Sequence, residues 1–297
     1  MSAMNRQAPR TLLFVPGDRA GTLLPKAARA EPDAIVLDLE DAVARDEKAG
    51  ARREVAAVSW RAEYAGLLLV RTQPVGTYAF EDDVAAALEA GADALILPKV
   101  SEPDEVRQAD ETIEQLVGRG DRPAILPVIE TPAGVFAAPE IAEACGRTLG
   151  LGLGGEDLRT AIGAPRSASG RELQHARGVV VLAARAARPW AVDSPPLDID
   201  RSRPVLQHAL RSRGLGFTGT FVIHPSQVAP VHQAFRPSRT EVEDAERVVE
   251  AYQTAQSQGR SVVQVGGRMV DLPVVEAALR ILMTEESPPR RPATLED

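Results

Sequence analysis

Cysteine is almost absent from this chain, and Cys145 is the only one among its 297 residues. A single thiol cannot form an intramolecular disulfide or supply a Cys-based zinc site, so both kinds of cross-link are excluded. Apolar runs are also short, and none approaches the length needed to span a bilayer. The N-terminus lacks the apolar segment of a secretory signal, and we expect a cytoplasmic protein.

Lysine is scarce too, since only Lys26, Lys48 and Lys99 occur. The chain has 34 Lys and Arg residues against 42 Asp and Glu residues, with no long basic run. Nucleic acids and anionic membrane surfaces bind basic faces, so the composition disfavours both as partners.

What the chain does contain is an alternation of short apolar runs with helical stretches, one of which is predicted at 133–144. Eight runs have the composition of strands, and they lie at 11–15, 34–39, 67–71, 94–97, 125–129, 148–153, 189–192 and 217–223. Such runs predict parallel strands that are buried on both faces. The pattern predicts an α/β fold, a TIM (β/α)8 barrel with a C-terminal helical extension. An open doubly wound sheet is the alternative, but its glycine-rich turn is missing after the first strand, where the chain reads PGDRAG.

The barrel is assigned to residues 10–236 and the extension to residues 237–285. Helices are predicted at 238–258 and 272–283, with a short strand at 261–265. An isolated barrel does not need this extension, so we expect it to contribute to an oligomer interface and to a neighbouring active site. Residues 1–9 and the polar tail 286–297 are predicted to be disordered.

Two acidic residues each follow an apolar run, Glu130 in PVIE and Asp157 in GGED. The strand ends form the active face of such a barrel, so both carboxylates are expected at one mouth. A hard cation such as Mg²⁺ relieves their repulsion and lost hydration, and we interpret the pair as metal ligands. The alternative is that Glu130 caps the next helix and that Asp157 lies in a first helical turn. Gly152, Gly154 and Gly155 favour the binding site, because they let backbone N–H groups approach a ligand.

More charged residues are expected at the same mouth. Within LDLED, Asp38 and Glu40 share one face and Asp41 lies just beyond the strand; they are predicted to hold metal-bound waters or to cap the next helix. Arg71 ends an apolar strand, and its planar guanidinium suits a carboxylate, of the substrate by preference or of a neighbouring side chain. The other strand-end positions include Lys99, Asp193 and His224, and substrate contacts are predicted for Arg19, Gly155 and Glu156. His224 fits a base or a structural group equally well.

Eight short motifs are spread along the chain from Arg10 to residue 283. They read VPGDR, VLDLEDAV, LVRTQ, LILPKV, PVIETPAG, GLGGEDL, FVIHPSQV and GRMVDLPVVEAA. In this order they resemble the citrate lyase beta subunit and malyl-CoA lyase family, metal-dependent aldolase barrels of the HpcH/HpaI type. The chain departs from that family at Gln73, where Asn is usual, and in the QVGGRMVD segment, which lacks an acidic lead.

The resemblance implies a homotrimeric or hexameric barrel that binds Mg²⁺, or Mn²⁺, through Glu130 and Asp157. It further implies that Arg71 holds the carboxylate of a keto acid and that Asp271 is the acid/base group of an adjacent subunit's site. Asp271 also precedes Leu272 and Pro273, so a role as the N-cap of the final helix stays open.

The activity implied is a carbon–carbon lyase that cleaves a hydroxyacyl-CoA of the citryl-, malyl- or methylmalyl-CoA type into an acyl-CoA and a keto acid. Coenzyme A is then part of the substrate. Malate synthase or (3S)-malyl-CoA thioesterase-like activity on the same scaffold stays open, as does a citrate lyase subunit that acts only within its complex. A Schiff base on Lys99 is a rival mechanism, but it leaves Glu130 and Asp157 unexplained.

Overall fold

The computed structural model describes residues 8–58, 64–117, 122–167, 169–188 and 190–286. The chain divides into two compact units, with residues up to Phe235 in the first and residues from Arg236 in the second. Of the ends predicted to be disordered, residues 1–7 and 287–297 lie outside the described residues, as does Pro189 of the seventh predicted strand. Pro9 is buried, and Glu286 ends the last helix.

Eight parallel strands form a closed barrel in chain order, which confirms the predicted fold. They are β1 (Thr11–Pro16), β2 (Ala34–Asp38), β3 (Leu67–Arg71), β4 (Ala94–Leu97), β5 (Ala124–Ile129), β6 (Gly150–Leu153), β7 (Trp190–Asp193) and β8 (Gly219–Val222). The barrel closes because β8 also pairs with β1, with Thr11 opposite Thr220. Strand β6 begins two residues later than predicted, because Thr148 makes only an isolated bridge to Ile125.

Side chains alternate along each strand and so form two apolar layers. The barrel interior is filled by side chains that include Val36, Leu69, Ile96, Leu126 and Phe221. Their chain neighbours, among them Leu37, Val70, Leu95 and Ile125, belong to the layer between strands and helices. The same alternation directs Asp38, Arg71 and Glu130 to the interior side, at the C-terminal ends of their strands.

Ten helices are described around the barrel: α1 (Ala20–Ala28), α2 (Lys48–Ala57), α3 (Phe80–Glu89), α4 (Pro103–Val117), α5 (Pro132–Phe136), α6 (Ala138–Ala142), α7 (Gly155–Ala161), α8 (Gln174–Ala187), α9 (Ser202–Leu215) and α10 (Val228–Phe235). The single helix predicted at 133–144 is two short helices instead. Pro139 has no N–H to donate to the carbonyl of Val135, which interrupts a continuous helix. Among the described helices, none is long and apolar enough to cross a membrane.

The second unit consists of two helices and a hairpin. Helix α11 (Arg239–Ser257) starts with a capping box in which Ser238 and Glu241 bind each other's backbone N–H groups. Strands β9 (Val263–Val265) and β10 (Arg268–Val270) pair antiparallel, and helix α12 (Leu272–Glu286) follows. Strand β10 was not predicted from the sequence. Gly266 and Gly267 form its two-residue turn with φ of 57° and 81°, as a hairpin turn of this kind requires.

Candidate active site at the barrel mouth

The ends of β2 and β3 place a carboxylate opposite a guanidinium. Arg71 donates from Nε and Nη2 to the two oxygens of Asp38, at 2.7 and 2.6 Å. Asp38 is buried and also accepts from the backbone N–H groups of Glu40 and Ala42. The guanidinium carbon of Arg71 lies 4.7 Å from the centre of the Phe14 ring. Burial acts to lower the pKa of Arg71, but the hydrogen bonds and charge of Asp38 outweigh it and raise that pKa.

Glu40 is buried between two cations. Its Oε1 accepts from Lys99 Nζ at 2.6 Å, and its Oε2 lies 3.1 Å from Arg71 Nη1. The second contact is an ion pair without hydrogen-bond alignment, because Oε2 has no hydrogen-bond partner among the described residues. Burial raises the pKa of Glu40 above its ordinary value, although both cations oppose the shift. Asp41, which is exposed, lies 3.8 Å from Arg71 and 3.7 Å from Lys99.

Lys99 is held as a cation by this arrangement. Burial acts to lower the pKa of Lys99, but the hydrogen bond and charge of Glu40 outweigh it and raise that pKa. A Schiff-base nucleophile must be an uncharged amine, which is reached through a lowered pKa. The contacts of Lys99 therefore disfavour the Schiff-base mechanism.

Among the acidic side chains of the mouth, Glu130 has the most perturbed pKa. Its side chain is 3% exposed, and its Oε1 accepts from the backbone N–H of Lys99 at 2.7 Å. Burial, followed by the charges of Glu40 and Asp157, raises the pKa of Glu130 to about 8. A Cβ atom added at Gly154 would lie 2.0 Å from Oε2 of Glu130, so only glycine fits beside this carboxyl group.

The alternative that Glu130 caps a helix is wrong. Helix α5 is capped by the next residue, Thr131, whose hydroxyl accepts from the N–H of Gly134 at 3.0 Å. The side chain of Glu130 is thus not used for helix capping. Asp157 does lie in the first turn of α7, where it is exposed and close enough to raise the pKa of Glu130.

The mouth carries an excess of negative charge. Its acids are Asp38, Glu40, Asp41, Glu130 and Asp157, and its cations are Arg71, Lys99 and Lys48. Lys48 belongs to the group because its Nζ donates to the carbonyl oxygen of Leu39 at 2.8 Å. Five carboxylates against three cations leave two negative charges when all are ionised, which one divalent cation would neutralise.

The donor set also fits such an ion. In the part of the chain that the structure describes, no three His, Cys, Asp or Glu residues are grouped to hold a metal. Glu130 and Asp157 lie close enough for the charge of Asp157 to raise the pKa of Glu130, so this pair would offer an ion two carboxylates. Mg²⁺ is commonly bound in this way, through one or two carboxylates plus waters and substrate oxygens.

The start of helix α7 is held against the end of β7. The N–H of Gly155 donates to Ser194 Oγ at 3.0 Å. A Cβ atom added at Gly155 would lie 2.5 Å from that oxygen, so the close approach requires glycine. This contact locates the turn that carries Asp157. Sequence reasoning missed Ser194, whose only signal is its place after an apolar run.

Arg19 and Glu156 were also predicted to contact the substrate, and their surroundings differ from those of the other site residues. Arg19 is exposed and ends the short helical turn after β1. Glu156 forms ion pairs with Arg159, at 2.6 Å, and with Arg166. The structure therefore brings Asp38, Glu40, Asp41, Arg71, Glu130 and Asp157 together, while Glu156 is partnered by arginines of its own segment.

Asp193 does not face the mouth, contrary to expectation. Its Oδ2 accepts from Arg177 of α8 and from Ser212 Oγ of α9, the latter at 2.6 Å, while its Oδ1 accepts from the N–H of Ser194. Trp190 and Val192 occupy the interior positions of β7, so the strand alternation turns Asp193 towards the helices.

His224 has a structural role. Its ring accepts from the N–H of Ser226, and the side chain of Gln227 returns to the N–H of His224, which caps the turn Pro225–Gln227. The structure thus supports the structural interpretation of this histidine.

Asp271 lies in the second unit, directly before α12. Its Oδ1 accepts from the N–H of Val274 at 3.4 Å, which is long for a capping hydrogen bond. The residue is half-buried. This geometry is compatible with an N-cap and leaves one carboxylate oxygen without a described hydrogen bond from the backbone.

A cleft of about 600 Å³ opens beside Glu40 and Asp41. Its wall includes Lys48, Arg52 and Tyr78, and Gln73, whose side chain donates to the carbonyl of Leu39. Gln73, where the chain departs from the motif of the family that it resembles, therefore supports the loop that carries Glu40.

The fold and the mouth define a class, the TIM-barrel enzymes whose active site lies at the C-terminal ends of the strands. Residues 10–225 match the family model described as HpcH/HpaI aldolase/citrate lyase. The chain belongs to the HpcH/HpaI aldolase/citrate lyase family and is an enzyme of the lyase type.

Known relatives agree with this assignment. The chain is 35% identical to the citrate lyase subunit beta of Haemophilus influenzae, over 94% of its own length and 97% of that protein. It is also 35% identical to a (3S)-malyl-CoA thioesterase of Cereibacter sphaeroides, over 88% and 89% of the two chains. Its fold is similar to that of CitE from Mycobacterium tuberculosis in complex with magnesium, acetoacetate and coenzyme A, with a TM-score of 0.80, 31% identity, and 95% and 99% coverage.

Proposed function

We propose that this protein is a Mg²⁺-dependent carbon–carbon lyase that splits a hydroxyacyl-CoA of the citryl-, malyl- or methylmalyl-CoA type into an acyl-CoA and a keto acid. The observation that supports it most is Glu130, a buried carboxyl group with a pKa of about 8 beside Asp157 and against Gly154. The CitE complex with magnesium, acetoacetate and coenzyme A supports the same ligand chemistry.

In this proposal Glu130 and Asp157 hold the Mg²⁺ ion, or Mn²⁺, and Asp38, Glu40 and Asp41 orient the waters around it. The bound ion supplies Lewis-acid polarisation of the oxygen that becomes the keto group. The protein's own residues then have to bind, orient and move protons.

Arg71 binds the carboxylate of the keto-acid fragment. Asp38 occupies the Nε and Nη2 side of the guanidinium. Nη1 lies 3.1 Å from Oε2 of Glu40 but donates no aligned hydrogen bond to it, so the Nη1 N–H groups can donate to the substrate. The raised pKa of Arg71 keeps it charged throughout the working pH range. Arg19, Gly155 and Glu156 contact the rest of the substrate in this proposal, with the N-terminal turn of α7 facing an anionic group.

Asp271 is the acid/base group, which exchanges a proton with the α-carbon of the acyl-CoA, and it completes the site of a neighbouring subunit in a homotrimer or hexamer. Asp271→Asn distinguishes this role from capping, because Asn caps a helix as well as Asp does. We expect a loss in rate on the order of a hundredfold or more with little change in stability.

The arrangement between subunits has its own test. Inactive Asp271→Asn subunits mixed with inactive Glu130→Gln subunits should regain activity, since some sites then combine two intact halves. Mixed oligomers that remain inactive would contradict the shared site.

The substrate is tested by a screen of citryl-, malyl- and methylmalyl-CoA with Mg²⁺, in which free coenzyme A and keto acid are both measured. Release of keto acid supports the lyase, whereas release of coenzyme A supports the thioesterase, an activity that the Cereibacter sphaeroides relative makes the second candidate. Full activity in excess EDTA would contradict the metal dependence. Activity that appears only with added citrate lyase subunits would indicate a non-autonomous subunit.

A further inference from the structure

Lys99 has a backbone conformation that lysine rarely adopts. Apart from glycines, Lys99 and Glu31 are the residues with positive φ in the described part of the chain, at 56° and 53°. This left-handed region crowds the Cβ atom against the backbone and favours glycine or asparagine. A strained residue at a candidate active site indicates that the surrounding contacts depend on it.

The strained turn lets one residue contact two glutamates. The backbone N–H of Lys99 donates to Glu130 at 2.7 Å, and its Nζ donates to Glu40 at 2.6 Å. Any residue other than proline supplies the N–H group, and glycine would do so without strain. The contacts with Glu40 and Asp41 require the ammonium group, and of these two acids only Glu40 is buried and accepts a hydrogen bond from it. The choice of lysine is therefore explained first of all by Glu40.

Lys99 and Arg71 share Glu40. These two residues form the ion pairs of Glu40 in the described part of the chain, one with each carboxylate oxygen. The Arg71 contact is not aligned as a hydrogen bond, because Oε2 of Glu40 has no such partner. Without the ammonium group, the buried carboxylate would retain Arg71 as its one cation and would take the Nη1 donors.

We propose that Lys99 is a positioning residue: it holds Oε1 of Glu40, so that Oε2 contacts Nη1 of Arg71 without accepting an aligned hydrogen bond, and the Nη1 N–H groups stay available to the carboxylate of the keto acid. This inference rests on the proposed function, because it assumes that Arg71 binds a keto acid. It assigns Lys99 a role in substrate affinity that involves no covalent bond to the substrate.

The first test is a double-mutant cycle on Lys99→Met and Glu40→Gln. Binding of oxaloacetate in the presence of Mg²⁺ is measured by calorimetry for the wild type, both single variants and the double variant. We expect Lys99→Met to weaken binding about tenfold or more, since a charged competitor then occupies Arg71. In the double variant the competing side chain at position 40 is neutral. The double variant should therefore bind oxaloacetate more tightly than Lys99→Met does. Losses that simply add would overturn the inference.

The second test separates the side chain from the backbone strain. Lys99→Gly keeps the N–H donor to Glu130 and removes the strain, and Glu31→Gly removes the equivalent strain at an exposed position outside the mouth. Glu31→Gly should unfold at the same denaturant concentration as the wild type or a higher one. Lys99→Gly also removes a cation from the buried Glu40, so it should lose stability as Lys99→Met does, reduced by the strain that glycine relieves. Lys99→Gly should show the same weakened binding as Lys99→Met, while Glu31→Gly should bind and turn over as the wild type does.

The outcomes distinguish this inference from the proposed function. A wild-type protein that binds no keto acid would overturn both. A wild-type protein that binds oxaloacetate, with a Lys99→Gly variant of equal affinity, would overturn the role of Lys99 alone.

Discussion

Two arginine–aspartate pairs in the same barrel have closely similar local contacts. The side chains of Arg71 and Arg177 are 16% and 10% exposed, and each pairs with an aspartate that is 1% exposed. Each guanidinium also lies over a phenylalanine ring, at 4.7 and 5.6 Å from the ring centre. Burial and pairing alone therefore do not tell which of the two belongs to an active site.

The two pairs differ in the side of the strand on which they lie. Arg71 is on the interior side at the barrel mouth, where Glu40 and Asp41 add negative charge to that of Asp38. Arg177 comes from α8 and meets Asp193 between strand and helices, where the other partners are hydroxyl and backbone groups and His208. Nε2 of His208 lies 3.9 Å from Asp193, and burial lowers the pKa of this histidine, which favours its uncharged form. The charges of Arg177 and Asp193 balance each other. At the mouth the acids outnumber the cations, which suits the binding of a metal cation and, with it, of a substrate.

The largest effect expected is on the structural pair. Arg177→Met leaves the buried Asp193 without its cation, which should lower the free energy of unfolding by about 3–5 kcal/mol. The activity of the molecules that remain folded should not change. Denaturant unfolding measures the loss, and Arg177→Met combined with Asp193→Asn should recover part of it. A stable variant with impaired turnover would reverse our assignment of the two pairs.

Glu130 provides a pH test of the charge excess. Its pKa of about 8 exceeds the ordinary 4.5, so the folded protein binds this proton more tightly than the unfolded chain does. The free energy of unfolding of the metal-free protein should therefore fall as the pH rises from 4.5 to about 8. Mg²⁺ binds the ionised form, so its affinity should rise about tenfold per pH unit over the same range.

Thermal unfolding with and without Mg²⁺, from about pH 5 to pH 9, checks this expectation. Glu130→Gln is the control, and its stability should lose the corresponding pH dependence. A stabilisation by Mg²⁺ that is the same at every pH would mean that Glu130 does not give up a proton to the ion.

Arg71→Lys tests the functional pair. Lysine keeps the charge beside Asp38 but loses the planar set of donors, so keto-acid binding should weaken by about 1.5–3 kcal/mol, or about ten- to a hundredfold. Arg177→Lys is the matched control and should leave oxaloacetate binding unchanged. Equal affinities for wild type and Arg71→Lys would show that Arg71 is as structural as Arg177.

The smallest effect is expected at Ser194, which lies between the two regions. Ser194→Ala removes the acceptor for the N–H of Gly155, at a cost of about 1 kcal/mol in stability. Because this contact holds the turn that carries Asp157, Mg²⁺ affinity should weaken a few-fold as well. Thr218→Val is the control, since Thr218 Oγ1 accepts from the N–H of Ala191 at the other end of β7. It should lower stability without changing Mg²⁺ affinity.

Much of the fold could be predicted because each strand is buried on both faces. The run of apolar residues that results is visible in one dimension, and all eight strands occur where such runs lie. The exceptions have local causes. Pro139 splits a predicted helix into α5 and α6, and β10 has the exposed residues Arg268 and Met269 in a strand of three, too short for an apolar pattern.

The site was partly predictable for a similar reason. Asp38, Arg71, Glu130 and Asp157 each follow an apolar run, and the barrel brings all strand ends to one mouth. Asp193 follows such a run as well, and the prediction was wrong there because the alternation of β7 turns its side chain towards α8. The roles assigned to all the site residues stay predictions, those of Asp271, Arg19 and Glu156 included.

The sequence by itself determined the eight-stranded barrel, the family and the acids and cations available at the strand ends. These depend on patterns of polarity along the chain, and the pattern of each segment can be read from that segment alone. Only the tertiary structure decided that Glu130 is buried beside Glu40 and Asp157, that Lys99 adopts a left-handed turn to contact two glutamates, and that Arg71 faces the mouth while Arg177 does not. Those facts depend on distances between residues far apart in the chain, and burial, charge proximity and pKa exist only once those distances are set.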